Sequence, residues 1–511
     1  MARISTNIAS LIAQHNLARS NENLEVRLQR LSTGLRINRG ADDPAGLIVS
    51  ERLRSELSGI GQGINNAERA SSVISTAEAA LTEVSDLLSS IRALVVEAAN
   101  SGAVSQEEKR ANQLQIDSAI DSITRIANTT SFAGLKLLDG SLDYITSGVN
   151  TTNIAASKIN AVNFGTRANV PVQVQVIGSA QTASIYISAA AWPTSGVLPS
   201  AVTLEVQGPE GVRVFDFASG ISLDQVITAI NSFTDATGVT ASRVNAGQTS
   251  SGIQISSQAY GSNAFVSVRR LGNSGTFLQT YQVTNNGAPP VNYGVNTTAT
   301  QRDTGKDVQA IVNGSLAVGR GLGLSVRSGE LDLEMTLQRA YAQTVPGAAT
   351  TFYVTGGGAL YQLGPNVNSS QQTNIAIPSL VDSRLGATLI TPVGSTTPVL
   401  QFLNSLKTGG ANDLLKGNFI PASKILESAI DQVSVLRGRL GAFERNTLQT
   451  NVRSLQSALE NVTAATSQIR DADFAVETSN LTRAQVLTQA GTSVLATANA
   501  QVQNVLALLG R

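Results

Sequence analysis

The sequence predicts an α+β, multidomain chain in which long N- and C-terminal helices forming a coiled-coil rod flank inserted β-rich domains. Three observations predict it: the placement of proline, a three-and-four leucine spacing at both ends, and a period of two between them. Of 13 prolines only Pro44 precedes residue 171 and none follows Pro421. Proline breaks helix interiors, so the ends are helical and the middle is made of turns and strands. A chain of 511 residues is long enough for several domains with their own cores.

At the N-terminus Ile4, Ile8 and Leu11 lead into Leu17, Leu24, Leu28, Leu31 and Leu35, an amphipathic helix that stops near Asn38. Asp42 or Asp43 can cap the next helix, with Pro44 at its first position, where a missing N–H costs nothing. That second helix runs to about residue 99 on the stripe Leu53, Leu57, Ile60, Ile64, Ala67, Ile74, Ala77, Leu81, Val84, Leu88, Ile91 and Val95. At 1.5 Å per residue it would span roughly 80 Å, the length of a rod rather than of a compact domain. Ser105-Gln-Glu-Glu108 is a capping box for a third helix carrying Ile116, Ile120, Ile123 and Ala127.

The C-terminal arm repeats the logic. Leu448, Val452, Leu455, Leu459, Val462 and Ile469 keep heptad spacing, with Thr466 in the missing place. After Asp471-Ala-Asp473 a last helix carries Leu481, Val486, Leu487, Val494, Leu495, Val502, Val505, Leu506 and Leu509. Between about 166 and 405 the period becomes two, as in Val170, Val172, Val174 and Val176, in Val202, Leu204 and Val206, and in Leu331, Leu333, Met335 and Leu337. One helix is expected from Leu223 to Phe233, capped by Ser222 and Gln225.

Ten Ile and Leu side chains are too little apolar surface to offset the ordering of the first 37 residues without neighbours. The arms should therefore order by packing on other copies, and an unclosed repeat of such contacts builds a helical filament. The alternative is that both arms pair within one molecule.

The chemistry of an enzyme is missing. There is no cysteine and one histidine, His15, so thiolate sites, zinc peptidase motifs and a Ser-His-Asp set are excluded, and no cofactor is expected. Asp42-Asp43 and Asp471-x-Asp473 read as helix caps rather than as acid–base or metal pairs. Gly319-Arg-Gly-Leu-Gly323 and Gly356-Gly-Gly358 fit no phosphate-binding loop and read as turns. Trp192 beside Pro193 reads as a packing residue, and Arg125 as a solvated face. Lys plus Arg and Asp plus Glu balance at 36 each, which removes the footprint of a nucleic-acid binder. No window is apolar enough for membrane insertion, and the opening residues do not read as a cleaved signal peptide.

Arg30-Leu-Ser-Thr-Gly-Leu-Arg-Ile-Asn38 with Ala41-Asp-Asp-Pro-Ala-Gly46 resembles the N-terminal signature of bacterial flagellin. Arg470-Asp-Ala-Asp-Phe474, Glu477, Ser479-Asn480, Arg483-Ala-Gln485 and Gln489-Ala-Gly-Thr-Ser-Val-Leu-Ala496 resemble the C-terminal one, ending in Gln503-Asn-Val-Leu506 and Leu508-Leu509. Arg470 stands where the family usually has an acid, and Val502 where a proline is common. In the middle, residues 208–241 with Phe215-Asp-Phe217 and Ile230-Asn231 are similar to the repeat of outer flagellin domains named for its Ile-Asn pair. Tyr361-Gln-Leu-Gly-Pro-Asn366 looks like another strand unit of such domains.

The resemblance implies an inner-tube helix at 1–42, rod helices and a short hairpin at 43–165, surface-exposed β-rich outer domains at 166–405, a rod helix at 406–469 and an inner-tube helix at 470–511. It implies a homopolymer, the swimming filament, with subunit packing at Leu24, Leu28, Leu31, Leu35, Asp42, Asp43, Leu455, Leu459, Val462, Val494, Leu495, Val505 and Leu506. A hook–filament junction protein, usually smaller in the middle, is the alternative. Implied partners are the flagellar type III export apparatus, an export chaperone, the filament cap and the hook-junction proteins, with the product outside the cell and no cleaved signal. For the animal innate flagellin receptor the implied contacts are Ile91, Arg92 and Leu94; Ser89, Ser90, Ala93 and Gln115 replace polar or charged family residues there.

Overall fold

The computed structural model describes residues 6–100, 102–165, 167–187, 196–244, 252–272, 280–282, 300–390 and 399–509, with side chains of the last helix described through 501 and at 503. Trp192 lies outside them. The chain forms two compact units. The first comprises the described parts of Met1–Ser71 and Phe443–Arg511 together with Gln362–Gln371; the second comprises Ser72–Tyr361 and Gln372–Ala442.

Helix α1 spans Ile8–Thr33, and the Asn7 side chain accepts from the Ser10 amide at 3.0 Å. It ends before the expected Asn38 because Gly34 takes the left-handed conformation at φ 73° and returns its N–H to the Arg30 carbonyl. Glycine makes that stop without a Cβ penalty. Helix α2, Pro44–Ala99, matches the expected bounds. From Ile60 onward its stripe is buried, apart from a half-buried Ile64, whereas Leu53 and Leu57 are only half-buried.

Helix α3, Gln106–Thr129, opens with the reciprocal Ser105–Glu108 capping box and buries Ile116, Ile120, Ile123 and Ala127. A short hairpin of β1 (Ser131–Phe132) and β2 (Leu135–Lys136) follows.

In the second unit, alternating apolar residues assemble two β cores. The first joins an antiparallel sheet of β3 (Tyr144–Ser147), β19 (Thr350–Gly357), β5 (Val170–Gly178), β14 (Gln309–Val312) and β15 (Ser315–Leu316) to one of β4 (Ile154–Val162), β18 (Leu331–Leu337), β17 (Gly323–Arg327) and β16 (Val318–Arg320). Strand β5 alternates buried and exposed positions as its valines predict. The strands of these sheets begin at Tyr144, ahead of the expected boundary at 166, because Ser157 and Ala156 on β4 pair with Met335 and Thr336 on β18.

The second core lies between a sheet of β12 (Thr280–Gln282), β6 (Thr182–Ile187), β10 (Ile253–Tyr260) and β9 (Val239–Arg243) and one of β13 (Arg302–Thr304), β11 (Phe265–Leu271), β7 (Val202–Gln207) and β8 (Val212–Phe217). Helix α4, Leu223–Asn231, carries the expected Ser222–Gln225 capping box and contributes Leu223, Val226 and Ile230. Asn231, of the Ile-Asn pair, fastens α4 to β9: its side chain donates to the Ala241 carbonyl at 2.9 Å and accepts from the Ala241 amide at 2.7 Å.

Helix α5 spans Phe419–Phe443, so the C-terminal helices begin after the expected 406, and short 3₁₀ turns occupy Leu403–Leu406 and Leu414–Lys416. Pro421 falls in its first turn, where it displaces no hydrogen bond. A π-helical turn, Glu444–Leu448, leads into α6, Gln449–Arg470, and α7 spans Phe474–Leu509.

Candidate assembly interface

In the first unit α1 and α7 run antiparallel against each other, so the arms do pair within one chain. Near the start of α1, Asn7 Nδ2 donates to the Ala498 carbonyl at 3.0 Å and Ser10 Oγ bonds Asn499 Oδ1 at 2.7 Å. Midway, Gly491 lets Leu17 approach: a Cβ there would sit 3.2 Å from Leu17 Cδ1. At the far end Glu477 accepts from Arg27 at 3.0 Å through both oxygens, and from Arg30 at 3.4 Å.

The fully buried residues of the seam are small or polar, and Leu17 lies half-buried against Gly491. Ser10 and Ala13 are the buried residues of α1, and on the described part of α7 they are Glu477, Ala484 and Ala498. A further set of large apolar side chains points away from it: Leu11 is 60% exposed and Val494 58%, joined by Ile8, Ile12, Leu28, Phe474, Val476, Val486 and Leu487. Scattered exposed leucines need no explanation, but a paired stripe along two helices marks an interaction surface.

The chain segments flanking the two helices are tied to each other. The Arg36 amide donates to the Arg470 carbonyl at 2.7 Å and the Ala472 amide to the Gly34 carbonyl at 2.9 Å, around a bridge between Leu35 and Asp471. The Arg36 guanidinium Nη2 adds a bond to the Ile469 carbonyl at 2.6 Å. Arg470, the departure from the usual acid, reaches Glu51 on α2 at 3.1 Å.

The two aspartates divide their work. Asp43 Oδ1 accepts from the Gly46 amide at 2.9 Å and caps α2. Asp42 Oδ2 instead accepts from the Arg39 and Asn38 amides at 2.8 and 3.0 Å, and these bonds hold its carboxyl below the usual aspartate range. Asp473 Oδ1 accepts from the Ala475 and Val476 amides and starts α7.

Of the other expected packing residues, Leu24, Leu31, Leu35, Leu459, Val462 and Leu495 are half-buried and Leu455 is buried. Leu28 and Val494 are exposed, and the side chains of Val505 and Leu506 lie outside the described residues. The expected receptor set is not one surface. Ile91 is fully buried on the core stripe of α2, so it offers nothing to a partner of the folded subunit, whereas Arg92 is exposed and Leu94 half-buried.

The sequence reading missed the Arg27–Arg30–Glu477 cluster and the Arg470–Glu51 pair. Arg27 and Arg30, three apart on one helical face, were the available signal for the first. Among the described residues no group of acidic or histidine side chains is placed to hold a metal, and no helix is long and apolar enough to cross a membrane.

Comparison with known proteins agrees at both ends. Residues 4–143 match the bacterial flagellin N-terminal helical region, 423–509 the bacterial flagellin C-terminal helical region, and 201–258 the flagellin hook IN motif. A flagellin of Salmonella rubislaw is 30% identical, and the B-type flagellin of Pseudomonas aeruginosa 31%, each alignment covering 99% of both chains. The solved flagellar hook associated protein-3 of Legionella pneumophila covers 82% of this chain and 98% of its own at 12% identity, with a TM-score of 0.30. Full-length identity to flagellins and matched helical regions at both termini together place this chain in the bacterial flagellin family, as a structural subunit of the flagellar filament and not an enzyme.

Proposed function

We propose that the α1–α7 pair is the element through which the subunit polymerises, with the apolar stripes of both helices meeting those of neighbouring copies. The observation that carries this reading is the exposed apolar set: Leu11, Ile12, Val486 and Val494 stay uncovered by the pairing within one chain. Burying such side chains is worth about 1.5 to 3 kcal/mol each, so a handful per subunit drives association strongly. The inner-tube role of 1–42 and 470–511, and the outer placement of the β cores, belong to the same proposal. So do passage through the flagellar export apparatus without a cleaved signal and engagement of a chaperone, the filament cap and hook-junction proteins; membership of the family supports them.

The test is electron microscopy of purified monomer added to filament fragments, comparing the full chain with one lacking residues 1–40 and 470–511. Elongation by the full chain alone is expected. Equal elongation by the truncated chain would refute the assembly role of the arms. The same monomer applied to receptor reporter cells reads out innate recognition through Arg92 and Leu94; silence there removes that part of the proposal.

A further inference from the structure

A groove of about 1040 Å³ opens where the two β cores of the second unit meet. Its position is built. Asp307 Oδ1 accepts from the Ser262 amide at 3.1 Å and the Gly321 amide at 2.6 Å, and Gln181 and Lys306 exchange backbone bonds. Gly261 makes the approach feasible: at φ 101° its Cβ would fall 2.4 Å from Asp307 Oδ1 and 2.6 Å from the Gly321 nitrogen. The walls are thus preorganised.

One wall is the outward face of the β9–β10 pair. Ile253 and Ile255 of β10, and Val239 and Ala241 of β9, point into the core, so Gln254, Ser256, Thr240 and Ser242 line the groove. Hydroxyl and amide groups both donate and accept, which suits a ligand that does the same. Tyr260 offers a half-buried ring, with the Arg339 guanidinium 5.7 Å from its centroid.

Charge narrows the class. Arg320 and Arg339 line the groove, are exposed, and form no ion pair among the described residues. The lining's one carboxylate, Asp307, is occupied by backbone amides. A neutral ligand would leave both guanidiniums idle, and a densely charged polyanion would meet Asp307. A carboxylate on a polyhydroxylated ring uses every group present.

We propose that this groove binds a short acidic oligosaccharide, its carboxylate held by Arg320 and Arg339, a ring resting on Tyr260 and its hydroxyls met by the Ser, Thr and Gln row. Titration calorimetry of the full-length monomer with trigalacturonate, a neutral galactose trisaccharide and sialyllactose tests it. The uronate should bind at least about tenfold tighter than the neutral sugar, and the Arg320→Gln/Arg339→Gln variant should lose that preference. Tighter binding of sialyllactose would also support the site and assign the carboxylate to a terminal sialic acid. Equal affinity for acidic and neutral sugars, no binding of any, or a double variant that keeps the preference would overturn it. Should the double variant fail to fold, the wild-type preference for acid over neutral sugar still decides.

Discussion

Glu477 holds the far end of the α1–α7 pair through two arginines from one face of α1, with a side chain only 7% exposed. Substituting Gln keeps the shape but leaves two partly buried guanidiniums without a counter-charge. Glu477→Gln should cost on the order of 2 kcal/mol, read as a lower urea midpoint for the helical signal. An unchanged midpoint would show that the cluster is solvated and energetically idle. At this scale the sequence was partly legible. Caps are local chemistry, so a cap at Asp42 or Asp43 and one at the Asp471-x-Asp473 pair could be read, whereas the choice of Asp43 over Asp42 depended on where the loop turned. Arg470 looked like an anomaly because its partner, Glu51, lies 419 residues away.

Among the elements, α2 carries a contrast that a propensity scale misses. Gly59 and Gly63 face the inserted segment: a Cβ on Gly59 would sit 2.8 Å from Pro365 Cβ, and one on Gly63 3.1 Å from the Leu363 carbonyl oxygen. Gly61, between them, has open space around it. Gly61→Ala should therefore stabilise by up to about 1 kcal/mol, the ordinary helix gain. Gly59→Ala should instead destabilise by about 1 to 3 kcal/mol through overpacking. Thermal unfolding of the two variants side by side checks this, and a matching gain in both would mean that the Leu363–Pro365 contact yields easily. The long helices and the capping boxes of α3 and α4 were legible because period and caps lie within a few residues. The π-helical turn at Glu444–Leu448 and the insertion of Gln362–Gln371 left no sequence signal that we can identify, since each answers to partners distant in the chain.

At the scale of the whole molecule, the face of β4 and β18 turned away from the first β core carries a set of half-buried charges that couples stability to pH. Lys158 on β4 lies opposite Glu334 on β18, with Asp143, Asp332 and Arg439 around it. Burial pushes the Lys158 ammonium below its ordinary 10.5, more than the nearby carboxylates restore. The unfolded chain then holds that proton more readily, so stability rises as pH climbs from the lowered folded value towards 10.5. Tyr144, pushed up to about 12 by burial, acts in the opposite sense above its ordinary 10.0. Urea unfolding as pH approaches 10.5 from below should show an upward slope that Lys158→Met flattens. The same slope in the variant would exclude Lys158 as its source. The division into helical ends and a β middle was legible from proline and periodicity alone. The early entry of β3 and β4 into the first core was not, because these strands become recognisable only through the distant strands they pair with.

The seam between α1 and α7 also has a consequence in time. Asn7 and Ser10 bond to residues 491 and 489 positions further along the chain. On the ribosome, the first helix emerges long before its partner has been translated, and closing so large a loop is slow as well as entropically costly. Through the synthesis of the intervening residues the N-terminal segment is a nascent amphipathic stretch without its mate, and it stays open to capture until Ala498 and Asn499 have been made.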